Sequence, residues 1–390
     1  MSEKLKLHWV RKDIDNPVAN VLGYATHNNM MKKYSERYFD YDENAKIALT
    51  ITPADHFVPI PGKFNILFTM WEALNVPDTY IKSLNNADLI LVPSRFCRDI
   101  FKPLTTKPVE VCWEGIEPDK FPFKEREFPY VTTKAGLIPK KDDGKRFRIL
   151  WLGAPNPRKG YHSMMELIKV FENIPEFEIY LKTTAFAKST LKQFIIINWR
   201  RILKIIREHK KKEVVIGEIT SMRQSIKRFF KPNLADQVQV MGKHKNIFFD
   251  TRKLPFDELV QLYHSAHVFL SPHCGEGWNL PLCEAMATGC PCIATGASGC
   301  MDFFDEETGY PIKYELKESE LQNYNLKAKV FVPDTNDLLE RTFEVFRNYP
   351  AALRKGKRAS DRIHDKFTWE HSAYRLNELI NKYYKAGANG

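Results

Sequence analysis

The sequence predicts an α/β protein made of two parallel-sheet halves, and three observations predict it. Short apolar runs alternate with helical stretches through the first third, the alternation stops in a Pro-rich stretch, and it begins again at Phe147. Runs rich in β-branched and large apolar residues read as strands buried on both faces of a parallel sheet. Strands alternating with helices make an α/β fold. A chain of 390 residues, 43% apolar and 27% charged, also exceeds one ordinary core and is expected to divide in two.

In the first half, strands are expected over residues 5–10, 46–52, 65–70, 89–93 and 109–113, with helices over 77–86 and 95–101. From Pro118 to Arg146 the pattern fails at Pro118, Pro122, Pro129, Pro139 and the polar run 140–145, which reads as a linker by composition. The second series places strands over 147–153, 177–182, 246–249, 267–271 and 291–294. The expected domains are 1–127, a linker 128–146, and 147–365 with a basic insertion 186–245. A closing helix, 366–390, completes the chain, where Phe367, Tyr374, Leu376, Leu379, Ile380 and Tyr383 recur at helical spacing within 361–385. Two α/β halves would leave a cleft between them.

Several classes are set aside. The longest apolar runs, such as Phe194 to Ile197, fall far short of the ~20 residues of a membrane span. The start of the chain is too charged for a signal peptide, so a cytoplasmic protein without a transmembrane segment is expected. The seven cysteines are an odd number in apolar segments, which argues against disulfides. Cys274, Cys283, Cys290, Cys292 and Cys300 invite a zinc reading, but no C-x2-C pair occurs and buried thiols are the better account. Asp13-Ile-Asp15 and Asp40-Tyr-Asp42 are read as chance D-x-D strings, and no metal is expected.

The stretch Ser271-Pro-His-Cys-Gly-Glu-Gly-Trp-Asn-Leu-Pro-Leu-Cys-Glu284 is the most informative. It follows a buried strand, passes a Gly-rich loop and enters a helix near Leu280 and Pro281, a residue suited to a first helical turn. At the carboxyl end of a strand in an open α/β sheet, ligands bind and helix N–H groups favour an anion. Two carboxylates there, Glu276 and Glu284, make sense as acceptors for hydroxyls.

That combination resembles the signature of the family-4 retaining glycosyltransferases, with Glu276 to Glu284 as their E-x7-E element and Ala285-Met-Ala-Thr-Gly-Cys-Pro-Cys-Ile-Ala-Thr295 following it. The resemblance runs from about Phe147 to the C-terminus, through Phe256-Asp-Glu-Leu-Val-Gln-Leu-Tyr263 and Phe367-Thr-Trp-Glu370. It is looser earlier, at Asn86-Ala-Asp-Leu-Ile-Leu-Val-Pro-Ser94 and Gly115-Ile-Glu-Pro118. It implies the GT-B architecture: two Rossmann-like domains facing a central cleft, with the C-terminal helix crossing back to the first.

The resemblance also implies site roles. Glu276 would contact the donor sugar, the backbone of Gly277, Trp278, Asn279 and Leu280 would lie against sugar and diphosphate, and Glu284 would hold the ribose. Lys159, in Asn156-Pro-Arg-Lys-Gly160, matches the family's phosphate-binding lysine. The arginine usually found five positions earlier is Ala154 here, and Arg158 is the candidate to replace it. Gly153 closes the strand before that loop, and Gly23 stands where a first-strand loop would approach the phosphate. His56 and Glu72 each follow a candidate strand and could orient the attacking hydroxyl, with Glu72 preferred. The co-substrate would be a UDP- or GDP-sugar, with no cofactor required.

The formal charge of +11 is local: residues 182–231 hold fourteen Lys or Arg against Glu208, Glu213 and Glu218, which equals the whole excess. Ile195, Trp199, Ile202, Leu203 and Ile206 mark one helical face, with Arg200, Arg201, Lys204 and Arg207 beside it. A polyanionic acceptor surface is therefore expected, either a membrane-associated or envelope glycan or, alternatively, hydroxymethylated DNA bound through its phosphates. The first would make the protein peripheral to a membrane. A basic face that is merely solvated is the remaining reading.

Overall fold

Two sheets organise the chain, and the computed structural model describes residues 4–10, 22–133, 136–139, 145–183, 238–241, 244–321 and 326–388. The first unit runs β1 (Leu5–Trp9), α1 (Leu22–Ser35), β2 (Phe39–Tyr41), β3 (Ile47–Ile51), β4 (Phe64–Phe68), α2 (Asp78–Asn85), β5 (Leu89–Val92), α3 (Arg95–Phe101) and β6 (Val109–Val111). Its strands lie in the order β2-β1-β3-β4-β5-β6, all parallel.

A hairpin of β7 (Tyr130–Thr133) and β8 (Gly136–Pro139) leads to the second unit. There follow β9 (Phe147–Leu152), α4 (Tyr161–Phe171), β10 (Phe177–Lys182), β11 (Val238–Met241), β12 (Ile247–Asp250), α5 (Phe256–Ser265), β13 (Val268–Ser271), α6 (Leu280–Ala287), β14 (Cys292–Thr295) and β15 (Tyr310–Ile312). The sheet order is β11-β12-β10-β9-β13-β14-β15, parallel except for the edge strand β11. A second hairpin, β16 (Tyr314–Leu321) and β17 (Leu326–Pro333), precedes α7 (Thr335–Arg347), α8 (Tyr349–Lys366) and α9 (Trp369–Ala388).

The central strands of both sheets are buried on both faces, which is why β3, β5, β13 and β14 are largely apolar. In β9, Phe147, Ile149 and Trp151 join one core and Leu150 the opposite one. In β4, Ile66 and Phe68 face one way and Leu67 the other. The expected two-half α/β fold is confirmed at this level.

Three expectations need correction. The Pro-rich segment is not featureless: its hairpin buries Tyr130, whose hydroxyl donates to the Glu176 carbonyl at 2.9 Å, because an aromatic can anchor a chain that cannot form a helix. Residues 361–385 are not one continuous helix: α8 ends at Lys366 and the closing helix α9 begins at Trp369. The chain breaks at Phe367 and Thr368 because the Ile116 N–H takes the Phe367 carbonyl at 3.0 Å and the Trp369 N–H donates to the Ile116 carbonyl at 3.1 Å. A Cβ on Gly115 would stand 2.2 Å from the Thr368 carbonyl carbon, so only glycine permits this crossing. Beyond it, Trp369, Ala373, Leu376, Leu379 and Ile380 of α9 enter the first unit's core.

Third, Gly23 sits in the first turn of α1 rather than in a strand–helix loop, and a side chain there would meet nothing within 4 Å. Six of the seven cysteines are buried and all are free thiols. Asp40 lies in edge strand β2, and Asp42 accepts from the Asn44 N–H at 2.9 Å. Arg200, Arg201, Lys204 and Arg207, with most of the basic insertion and Asp13 and Asp15, lie outside the described residues. Among the described residues no helix is long and apolar enough to cross a membrane.

Candidate active site

Three loops leave carboxyl ends of parallel strands and meet: 69–75 after β4, 153–160 after β9, and 272–279 after β13. The last is pressed against the first. A Cβ on Gly275 would lie 1.8 Å from the Glu72 carbonyl oxygen, and one on Gly277 would lie 2.8 Å from Met70 Cβ. Gly275, at φ 155°, also adopts a conformation that side chains rarely take. The glycines of the loop therefore let the two units touch.

At that contact Glu276 is buried between two cations. Its Oε1 accepts from Lys159 Nζ at 2.6 Å and its Oε2 from Arg158 Nη1 at 2.9 Å. Glu72, from the first unit, stands 3.7 Å from the same Arg158 nitrogen. Burial alone would push the Glu276 carboxyl up, but Arg158 and Lys159 outweigh it and hold the group at about 2. Burial pulls Lys159 down, against the attraction of Glu276. Arg158 is raised despite its burial, since Glu276 and Glu72 favour its charged form. The four groups balance two charges with two.

The loop of Arg158 and Lys159 is fixed from within. Asn156 caps the 3-10 turn through its Oδ1, which accepts from the Lys159 N–H at 3.0 Å. Gly153 donates its N–H to the Lys182 carbonyl at 3.1 Å, and the Trp151 indole donates to the Lys159 carbonyl at 3.2 Å. Arg158 uses only Nη1 in its described bonds, to the Gly275 carbonyl and to Glu276. Its remaining N–H donors, and two of the three on Lys159, have no described partner and are available to a ligand.

Asn279 caps α6 from the left-handed region at φ 88°, a conformation Asn tolerates better than most residues. Its Nδ2 donates to Ser271 Oγ at 2.9 Å and its Oδ1 accepts from the Leu282 N–H at 3.4 Å. The Trp278 ring is core, packed 4.6 Å from Phe303 and 5.5 Å from Phe367, so only its backbone can face a ligand. Leu280 opens the helix and packs partly into both flanking cores.

Glu284, eight positions beyond Glu276, has the opposite electrostatics. Burial raises its carboxyl to about 7, the hydrogen bond from Tyr263 at 2.7 Å lowers it, and Glu114 adds a like charge. No cation among the described residues offsets the burial, which wins. Sequence reasoning missed Tyr263 because it lies on α5, distant along the chain. It also missed His273, which burial, with Lys159 and Arg158 behind it, pulls down to about 4 despite Glu276. A neutral His273, with Nε2 3.4 Å from Cys300 Sγ, adds no charge beside the lysine.

The structure thus brings together Glu276, Lys159, Arg158 and Glu72. It does not tie His56 to them: the described polar partner of His56 is its neighbour Asp55, at 3.9 Å. Among the described residues no group of three or more His, Cys, Asp or Glu side chains is placed to hold a metal.

The sequence model of the family "Glycosyl transferases group 1" matches residues 192–322, inside the second unit. None of the curated proteins matches the chain in sequence. Solved structures share the fold. Sucrose-phosphate synthase from Thermosynechococcus elongatus aligns over 93% of this chain and 79% of its own, with TM-score 0.56 and 15% identity. Anabaena HepE, solved in complex with UDP-glucose, aligns over 97% of this chain and 100% of its own, with TM-score 0.58 and 10% identity. A glycosyltransferase from Rickettsia africae covers 99% and 100%, with TM-score 0.56 and 12% identity. The α/β architecture of two Rossmann-like units is that of GT-B glycosyltransferases.

Proposed function

We propose that the protein is a retaining glycosyltransferase of the family-4 type, which moves a hexose from a nucleotide-diphosphate sugar to an acceptor hydroxyl. The observation that carries this reading is the buried, ionised Glu276 held by Lys159 and Arg158 in the loop before α6. As the glycosidic bond breaks, charge builds on the leaving diphosphate, and fixed cations stabilise it best where water is excluded. Lys159 and Arg158 take that role, with Arg158 standing in for the arginine replaced by Ala154. Glu276 accepts from sugar hydroxyls and keeps the two cations positioned. Glu284 accepts from the ribose, and the backbone of 277–280 with Gly153 lines the donor.

Glu72, and more remotely His56, faces the acceptor side. The HepE complex with UDP-glucose supports a uridine donor. For the acceptor, the charge concentrated in 182–231 supports a polyanionic surface, first a membrane-associated or envelope glycan. Duplex DNA is the competing outcome of a binding test against anionic vesicles across a salt series, with Arg200, Arg201, Lys204 and Arg207 changed to Ser.

The stereochemistry is tested with UDP-glucose and water as surrogate acceptor, following the first product by NMR before mutarotation. Release of α-glucose is expected. β-Glucose as first product contradicts retention.

A further inference from the structure

The β16–β17 hairpin belongs by connectivity to the second unit but packs on the first. Leu326, Ala328, Val330 and Val332, alternate residues of β17, lie in or against the core formed by Leu67, Trp71, Ala73, Tyr80 and Ile90. Across the hairpin Glu318 stands opposite Lys329 and Glu320 opposite Lys327, opposite charges that favour this register. Phe331 packs edge-on to Phe96 of α3 at 5.7 Å.

The outer edge of β17 carries the functional argument. In an antiparallel pair, alternate residues turn their N–H and C=O away from the partner strand. Lys329 and Phe331 are such residues, and both turn toward the site loops. The Leu74 N–H donates to the Lys329 carbonyl at 3.0 Å, and the Lys329 N–H donates to Asn75 Oδ1 at 2.9 Å. Two residues on, the Phe331 N–H donates to the Cys274 carbonyl at 2.9 Å, and the Cys274 N–H donates to the Arg158 carbonyl at 2.7 Å. One strand edge thus holds the Glu72 loop and, through Cys274, the loops of Glu276 and Arg158.

We propose that the β16–β17 hairpin is an inter-domain strut that sets the separation of the two units at the cleft and positions Glu72 against Arg158. Its hydrogen bonds leave Glu72 and Glu276 sharing one Arg158 nitrogen, at 3.7 and 2.9 Å, with the Glu72 backbone seated on Gly275. The strut stands on this packing and these hydrogen bonds, whatever the reaction. Its effect on turnover rests on the donor-site reading.

The test uses the full chain and the double variant Asn75→Ala/Phe331→Pro, which removes one acceptor and one N–H on the outer edge while leaving the β16 ladder intact. Amide exchange at Leu74 and over 274–277 should quicken about tenfold or more, while β9 and β13 keep wild-type protection. Unchanged exchange there, or a Leu74 amide already unprotected in the wild type, overturns the strut. If the proline variant does not fold, Asn75→Ala alone with the wild-type Leu74 protection carries the same test. For positioning, Glu72→Gln should lower kcat about tenfold in the wild type but less than about twofold in the double variant, with KM for UDP-glucose little moved. Equal effects in both backgrounds overturn the positioning role. Exchange reads the strut without any turnover, so the expected exchange in a protein that transfers no sugar supports the strut and sinks the functional reading.

Discussion

Two arginines of this molecule are withdrawn from water in different ways. Arg126 is buried and spends all five of its N–H donors: Nε on the Ala266 carbonyl, Nη1 on the Lys124 and Thr288 carbonyls, Nη2 on the Tyr263 carbonyl and the Thr288 hydroxyl. No carboxylate is among these partners. Arg158 is partly exposed, and its described bonds all go through one nitrogen, to a carbonyl and to the Glu276 carboxylate. A saturated cation can only fasten, and here it ties the segment after the first unit to α5 and α6. An unsaturated cation held by a carboxylate has donors left for a ligand. Saturation, more than burial, separates structure from chemistry.

That distinction can be broken by experiment, the largest effect first. Lys159→Ala and Glu276→Gln should each lower turnover about a hundredfold or more, as a lost electrostatic contact does, with little change in the urea midpoint. Arg126→Ala should do the reverse, destabilising by about 3 kcal/mol or more by removing the donor from four buried acceptor bonds, while activity per folded molecule holds. A catalytic defect in folded Arg126→Ala, or a folding defect as large in Lys159→Ala, would erase the contrast.

The two glutamates sharpen it through pH. Glu276, held at about 2, stays ionised throughout the working range, and its folded-state advantage is present above its unfolded value and lost only as pH falls toward 2. Glu284 is shifted the other way, to about 7, so its protonated form is favoured on folding and its ionisation costs stability as pH rises through that value. A carboxylate that must accept from ribose hydroxyls should then bind donor less well below pH 7, by up to about tenfold per unit. Calorimetric titration of UDP from pH 5.5 to 8 should show that slope, and Glu284→Gln should flatten it. The smallest effect is Tyr263→Phe. Because the tyrosine hydrogen bond lowers the Glu284 carboxyl, its loss should move the midpoint upward, readable in the same titration.

Much of this was legible in the sequence, for physical reasons that differ by element. Strands buried on both faces write themselves as nearly unbroken apolar runs, so β5 and the Ile149–Leu152 part of β9 fall where the runs do. Glu276 and Glu284 are visible because a glycine-rich loop entering a helix is local. The β16–β17 hairpin was invisible although Leu326-Lys-Ala-Lys-Val330 alternates, since its buried face is supplied by the other unit. The break at Phe367 depends on Ile116, some 250 positions earlier, and no helical periodicity encodes it. Arg126 reads as one charge in a polar segment, because its acceptors are backbone carbonyls that any sequence has.

The most direct test of the central claim is calorimetric titration of UDP into the wild-type chain and into Lys159→Ala at pH 7.5. Saturable one-site binding that weakens about tenfold or more in the variant, as for a lost charge-assisted contact, is the predicted result. Failure of the wild type to bind UDP or GDP, or equal affinity in the two proteins, would contradict a diphosphate site at Lys159 and Arg158.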